Sequence, residues 1–290
     1  MTKIDVLLAT GLVSEEHDNA HRSFRHHTGM ITALLESTGR FRVRVLEEFR
    51  GAGTDLIDRY DVVLVMYEGR RNYFDAAEGF GPVTNEALLR FVRDDGKGMV
   101  WFHGSSVQED SWGWPEEFDR MRGAKLSAAT GLRPRPPGQV TVRTRPGHPI
   151  TDGVSPEWTL TNDDILTGVR IHPGTEVLLT VFDDVETYRA AGWPRPHTPV
   201  VVGDGGLDAL PGMNTDQPLA WANEWGSGRC FSLTPGHDWD TFRRPDYMTL
   251  LCRGVEWAAT GAATIAPPDR AGENRWRVWP YYAGDTSRWD

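Results

Sequence analysis

Apolar and polar residues follow two different periods over the first hundred positions. Some short runs are apolar throughout or alternate with a period of two, which is typical of strands. Longer segments carry apolar residues at helical spacing, and Thr84 could cap one of them. The predicted strands span residues 4–10, 41–48, 61–67 and 98–103, and the predicted helices span residues 27–39 and 84–96. This β-α-β-β-α-β order is typical of the opening of a doubly wound α/β domain.

The rest of the chain adds further strands and one long closing helix. Residues 124–137 are basic and rich in proline, which indicates a loop, and residues 139–145 alternate like an antiparallel edge or insertion strand. The closing helix is predicted over residues 245–261, with Pro245 near its start and Gly261 after its end. Other strands are predicted over residues 175–182, 199–204, 218–225 and 228–236. We therefore predict one α/β domain over residues 1–262, with a mostly parallel sheet flanked by helices.

The last segment, residues 263–290, has no periodicity but contains three tryptophans and two tyrosines. A polar disordered tail would not carry so much aromatic surface. We expect this segment to pack on the domain or on a second subunit. Packing on a second subunit would make the protein a homo-oligomer.

Composition and charge exclude several classes of partner. The 290 residues are 39% hydrophobic and 25% charged, as in an ordinary soluble protein. A net charge of -10 without a basic stripe argues against nucleic acid. The absence of a long apolar run argues against a membrane span, and the first residues lack a signal-peptide pattern, so a cytoplasmic location is expected. Cys230 and Cys252 lack metal-ligand spacing and are interpreted as reduced core residues.

Histidines and acidic residues follow several of the predicted strands. In open α/β sheets, ligands bind beyond the carboxyl ends of the strands, so these residues are candidates for one site. The candidates are His17, His21, His26 and His27 after the first strand, Tyr67 and Glu68 after the third, His103 and Ser105 after the fourth, and His237 and Asp238 after the last.

The histidine after the fourth strand has two interpretations. His103 could simply bond a backbone carbonyl in the core. Alternatively, Gly104 permits a tight turn that projects the imidazole into a cleft, as strand-to-helix elbows do in several α/β enzymes. Ser105 has little support as a nucleophile, because the elbow is not a G-x-S-x-G motif.

The remaining candidates also have structural alternatives. Asp238 could orient His237 as a general acid or base, or it could cap the closing helix. The acidic pair Asp163 and Asp164 could belong to the site or form a solvated turn. Three other histidines stand beside prolines and are interpreted mainly as turn residues: His148, His172 and His197.

Taken together, several motifs resemble the ThuA-like (trehalose utilisation) family of the class I glutamine amidotransferase-like superfamily. They lie in order between residues 3 and 261: ALLESTGRF, DVVLVMY, ALLRFVRDDGKGMVWFHGSS, WPEEFDRM, HPITDGV, TNDDIL, VFDD, WANEWGSGRCFSLTPGHDWD and LLCRGVEWAATG. The resemblance implies a flavodoxin-like α/β fold and a role in the metabolism of trehalose and related disaccharides. Members often occur beside sugar oxidoreductases that make 3-keto sugars.

The resemblance also implies roles for individual residues. His103 stands in the strand-end region where the amidotransferases of the superfamily hold a nucleophilic cysteine, and neither cysteine of this chain lies there. Glutamine hydrolysis by a thiolate is therefore not expected. His237 matches the Gly-His-Asp after the last strand, and Asp163 or Asp164 matches the acidic position. The sequence departs from the family at Ile165, where an aromatic residue is common.

These observations lead to one main functional hypothesis with alternatives. The main hypothesis is an enzyme that acts on a disaccharide or keto-glycoside, with His103 and His237 as an acid/base pair and Asp164 as the orienting carboxylate. Residues expected to bind substrate are His17, His21, Tyr67, Glu68, Ser105, Trp112, Trp114, Asp163, Asp238 and Trp239. The alternatives are a non-catalytic sugar-binding protein and a metal-dependent hydrolase that could hold zinc. A shared site requires His103 and His237 to lie within about 12 Å of each other.

Overall fold

The computed structural model describes residues 2–10, 24–47, 49–66, 80–106, 115–126, 131, 133–194 and 202–268. These residues form the strands β1 (Ile4–Ala9), β2 (Phe41–Leu46), β3 (Val62–Val65), β4 (Gly98–Phe102), β5 (Ala124–Lys125), β6 (Arg133–Pro134), β7 (Gln139–Thr144), β8 (Glu157–Thr161), β9 (Leu166–Thr167), β10 (Arg170–Ile171), β11 (Glu176–Phe182), β12 (Asp216–Trp225) and β13 (Gly228–Leu233). They also form the helices α1 (Phe24–Ser37), α2 (Thr54–Ile57), α3 (Pro82–Arg93), α4 (Glu117–Arg122), α5 (Val185–Ala190) and α6 (Pro245–Thr260).

One large mixed sheet organises the described residues. Its strand order is β2-β1-β3-β4-β13-β12-β11-β7-β8. The first five strands in this order are parallel, and each later neighbour is antiparallel to the one before it. Only β12 and β7 therefore run against the other strands of this sheet. The predicted α/β fold with a mostly parallel sheet is confirmed, and β7 is antiparallel as predicted.

Helices cover both faces of the parallel part of the sheet. On β1, Val6 and Leu8 face one core, whereas Leu7 and Ala9 face the other, because successive side chains alternate across a strand. The first core includes residues of α1 and α6, and the second includes residues of α2, α3 and α4. Strands buried on both faces explain the continuous apolar runs of β3 and β4.

The helix predicted over residues 84–96 begins earlier than expected. It starts at Pro82 with Gly81 at the cap position, so the predicted cap at Thr84 is wrong. The Thr84 hydroxyl instead donates to the carbonyl of Phe49 and accepts from the amide of Gly51. A Thr inside the first turn thus ties the helix to the preceding loop. Helix α1 also begins earlier than predicted, at Phe24, so that His26 belongs to the helix and not to the preceding loop.

Several strands differ from the sequence pattern. Strand β8 was not predicted, although its side chains alternate in burial. The described residues of the predicted loop 124–137 include two short strands, β5 and β6, which pair with β10 and β9. Two-residue strands are too short to show any period. Residues 202–204 of the predicted strand 199–204 are not in a strand, and residues 199–201 lie outside the described part of the chain.

The closing helix ends as predicted and the chain then turns back onto it. Gly261 has a φ of 76° after the last residue of α6, a left-handed conformation that favours glycine. The buried Glu256 carboxylate accepts from the amides of Thr264 and Ile265 and from the Thr264 hydroxyl. Ile265 is buried in the main core. The aromatic part of the tail, from Trp276 to Trp289, lies outside the described residues.

No helix in the described ranges combines the length and the apolar character that a membrane crossing requires.

Candidate active site

The two histidines predicted to form a pair meet at the carboxyl end of the sheet. His103 is the first residue after β4, and His237 follows β13, the parallel neighbour of β4. Their ring centroids are 5.3 Å apart, well within the separation that a shared site requires. Asp164 joins them from the loop after β8. The side-chain nitrogen or oxygen atoms that the three residues can offer lie within 4.8 Å of one another.

His103 is held in an unusual backbone conformation. Its φ is +46°, which is uncommon for a residue other than glycine. Its imidazole is buried, and Nδ1 lies 2.7 Å from the carbonyl oxygen of Thr234. Because a carbonyl can only accept, Nδ1 carries the hydrogen and, in the neutral ring, the lone pair is on Nε2. The two interpretations of His103 therefore hold together. Its Nδ1 bonds a backbone carbonyl, and its Nε2 belongs to the candidate site.

The turn after His103 is stabilised by the two serines that follow. The Ser105 hydroxyl contacts the carbonyl of Val65 at 2.8 Å and accepts from the amide of Phe102, and the Ser106 hydroxyl donates to the carbonyl of His103. Both serines are buried. Ser105 was predicted to bind substrate, but its hydroxyl is occupied by main-chain groups. Its role is to fix the turn that presents His103.

A buried arginine that the sequence analysis missed lies behind this turn. Arg122 Nε donates to the carbonyl of Ser105, and its guanidinium stacks over the Trp101 ring at 4.2 Å. Burial lowers the pKa of Arg122 to about 9. A charged residue at the end of a short helix looks like a surface residue in the sequence. Only the folded chain shows that it packs beneath the His103 turn.

Asp163 connects the loop of Asp164 to the loop of His237. Its Oδ1 accepts from the amides of Asp164, His237 and Asp238 at 2.8, 2.9 and 3.1 Å. Its Oδ2 accepts from the amide of Gly236 at 2.8 Å and from the Thr241 hydroxyl at 2.7 Å. Asp163 was predicted to bind substrate, yet its side chain is buried and its oxygens are used within the protein. It anchors the site from behind.

The two residues after His237 have different positions. Asp238 caps a short 3-10 helix, Trp239–Arg243, by accepting from the amide of Asp240. The predicted capping is therefore present, but on this turn and not on α6, whose cap position is Arg244. Trp239 is 50% exposed, although it is a large aromatic residue, and its indole meets the ring of His27 edge-on. The exposed indole suits a surface on which a sugar ring could stack.

Burial keeps the second histidine of the pair neutral. Burial lowers the pKa of His237, as does the nearby His103, while Asp164, Asp163 and Asp238 oppose the shift. The direction of the shift favours the uncharged imidazole near pH 7. Neutral His237 and the Nε2 lone pair of His103 can then accept a proton or bind a metal ion.

The cysteines lie in the core. Cys230 is in β13 and Cys252 is in α6, and burial raises the pKa of both thiols. A protonated, buried thiol is a poor nucleophile. Neither cysteine therefore offers the thiolate that an amidotransferase would need, and both have the core role predicted from the sequence.

Six predicted site residues lie outside the described part of the chain. They follow β1, β3 and the His103 turn in sequence: His17, His21, Tyr67, Glu68, Trp112 and Trp114. Their contribution to the site stays a prediction. The turn histidines His148 and His172 do lie in turns, and His197 is outside the described residues.

A separate depression lies beside the edge strand β2. Its volume is about 410 Å³, and its lining includes Arg42, Arg44, Arg59 and Tyr60. The guanidinium of Arg42 pairs with Asp5 there. This depression contains neither the histidine pair nor Asp164, so it is not the candidate active site.

Comparison with known proteins supports the fold and identifies the family. The family model described as ThuA, trehalose utilisation, matches residues 11–258. A ThuA-like protein from Parabacteroides merdae ATCC 43184 superposes with a TM-score of 0.66 at 23% identity, covering 92% of this chain and 94% of its own. One from Bacteroides uniformis ATCC 8492 gives 0.60 at 16% identity, covering 90% and 94%. No curated protein matches the sequence. Because the family model spans most of its length, the chain belongs to the ThuA trehalose-utilisation family.

Proposed function

We propose that the protein is an enzyme of carbohydrate utilisation that acts on a disaccharide or keto-glycoside at the centre formed by His103, His237 and Asp164. Membership of the trehalose-utilisation family supports a carbohydrate-related role. The observation that carries the proposal is the 5.3 Å separation of the two imidazoles beside Asp164, at the strand ends where α/β sheets bind ligands.

The chemistry that suits this centre is proton transfer next to a sugar carbonyl. A keto group makes the hydrogen on the adjacent carbon acidic, and a base that removes it yields an enediol or eliminates a neighbouring substituent. Two adjacent imidazoles with one carboxylate can supply a base and, once one ring is protonated, an acid. We assign Asp164, whose carboxylate lies close to both imidazoles, to orienting His237 or to accepting a hydrogen bond from a sugar hydroxyl.

The protein also offers an aromatic surface for the sugar ring. Trp239, two residues beyond His237 in sequence, is half-exposed. Sugar rings pack their C–H faces against such indoles, so we assign Trp239 to substrate binding. Trp112 and Trp114 are proposed for the same role on the basis of the sequence alone.

Hydrogen exchange in D₂O tests the proposal directly. Incubation of purified protein with a 3-keto disaccharide should exchange the hydrogen beside the keto group or release product, followed by proton NMR. His103→Ala and His237→Ala should each slow the reaction by about 10² to 10⁴-fold. The parent disaccharide without a keto group is the control and should not exchange. Saturable sugar binding without exchange or product would instead indicate a non-catalytic sugar-binding protein.

A further inference from the structure

Three potential metal ligands converge in the candidate active site from different parts of the chain. His103 follows β4, His237 follows β13, and Asp164 lies between β8 and β9. Their donor atoms lie within 4.8 Å of one another. Ligand atoms at about 2.0–2.2 Å from one tetrahedral zinc ion lie about 3.3–3.6 Å apart. Side-chain movements that shorten these separations by about 1 Å would therefore bring all three onto one ion.

The hydrogen bonding of the His103 ring is typical of a metal-bound histidine. Its Nδ1 hydrogen is bonded to the Thr234 carbonyl, so the neutral ring has its lone pair on Nε2. A metal-bound histidine usually donates its other ring N–H to a carbonyl or carboxylate. This hydrogen bond fixes both the tautomer and the ring angle. The left-handed backbone of His103 is maintained by the bonds of Ser105 and Ser106. Such enforced conformations are found at functional sites.

The other two candidate ligands share one buried anchor. Asp163 accepts from the amides of both Asp164 and His237, which holds the two loops at a fixed separation. Pre-positioned ligands reduce the ordering that metal binding would otherwise require. The donor set is also suitable, since imidazole nitrogens and a carboxylate oxygen are ligands that zinc accepts.

We propose that His103, His237 and Asp164 bind one divalent transition-metal ion of the zinc type. Three ligands of this kind leave coordination positions open, as in catalytic and not structural metal sites. Asp164 and His237 are only partly buried, so the open side of the site faces the rim. The inference rests on the proposed function for its substrate and deepens it. A metal held by these three residues would polarise the sugar carbonyl and so make the hydrogen on the adjacent carbon more acidic.

Zinc titration of protein prepared without a histidine tag and treated with EDTA tests this proposal. Calorimetry should show one zinc ion per chain. His103→Ala, His237→Ala and Asp164→Asn should each weaken binding at least about tenfold. His172→Gln, which changes a half-buried histidine outside the cluster, is the matched control and should bind like the original protein.

A second measurement covers variants that lose stability. Zinc should raise the melting temperature of the original protein and of His172→Gln, and should not raise that of His237→Ala. The proposal fails if the folded protein shows no saturable binding up to about 1 mM zinc. It also fails if the three ligand variants bind as well as the control.

The outcomes separate the metal site from the proposed function. Keto-sugar turnover that persists in EDTA would remove the metal and leave the function in place. One tightly bound zinc ion without any turnover of keto sugars would support the metal site and contradict the proposed function.

Discussion

Single residues decide how the candidate site is held together. The sequence indicated His103 and His237, because strand ends and glycine turns are visible in it. It could not separate the roles of Asp163 and Asp164, since adjacent acidic residues look equivalent until the fold buries one of them. The Thr234 carbonyl that fixes the His103 ring was also out of reach, because a backbone oxygen carries no sequence signal.

The adjacent carboxylates provide a matched test of this difference. Asp163→Asn places an amide NH₂ among hydrogen-bond donors and should lower the free energy of unfolding by about 2 kcal/mol or more. Asp164→Asn changes a half-buried residue and should cost less than about 1 kcal/mol. Urea unfolding of the two variants measures both values. Equal losses would show that Asp163 is not the anchor that its five hydrogen bonds indicate.

His148 makes stability depend on pH. Its Nδ1 accepts from the amide of Ile150, its ring packs on Trp257, and burial lowers its pKa. The unfolded chain therefore takes up the proton more readily, and the stability contributed by the neutral ring is present above about pH 6.5 and lost as pH falls towards the folded pKa. His148→Asn keeps an acceptor that does not titrate. The drop in melting temperature from about pH 7.5 to about pH 5.5 should be smaller in this variant; an equal drop would contradict the assignment.

At the level of elements, long periodic segments were predicted well and short ones were not. Helix α6 has a sustained apolar face with proline and glycine at its ends, so its bounds were nearly correct. The two-residue strands β5 and β6 exist only through their partners and leave no periodic signal. The start of α3 was misplaced because Thr84 is a typical cap residue, whereas tertiary bonds to Phe49 and Gly51 decide its position.

Two helical glycines test how closely α6 packs on the sheet. A Cβ at Gly254 in α6 would lie 2.2 Å from the Phe231 ring of β13, so Gly254→Ala should lower the melting temperature despite the better helix propensity of alanine. A Cβ at the exposed Gly29 in α1 would meet nothing within 4 Å. Gly29→Ala should therefore stabilise the protein by about 0.5–1 kcal/mol. Thermal unfolding of both variants decides; stabilisation by Gly254→Ala would refute the close packing.

On the scale of the whole molecule, the topology explains where the site lies. Parallel strands bring their carboxyl ends to one edge, so the neighbours β4 and β13 deliver His103 and His237 to the same place. The sequence could predict this edge from the alternation of strands and helices. It could not predict that the loop after β8, on the far edge strand of the sheet, supplies the third group.

The aromatic tail is the remaining feature of the whole molecule. The segment 262–268 packs against α6, and the tryptophans that follow in sequence carry the aromatic surface expected to bind the domain or a second subunit. Removal of residues 269–290 should therefore lower solubility or change the mass in solution. Light scattering and thermal unfolding check this, and unchanged mass together with an unchanged melting temperature would contradict it.

The central claim is that a carbohydrate reacts at the His103, His237 and Asp164 centre. A crystal structure with a bound 3-keto disaccharide tests it most directly. The account predicts that the keto group lies within hydrogen-bond distance of His103 Nε2 and His237, or binds a metal ion that these residues hold. A sugar ring should pack against Trp239. A fully occupied sugar bound elsewhere on the protein, with the two imidazoles free of it, would contradict the account.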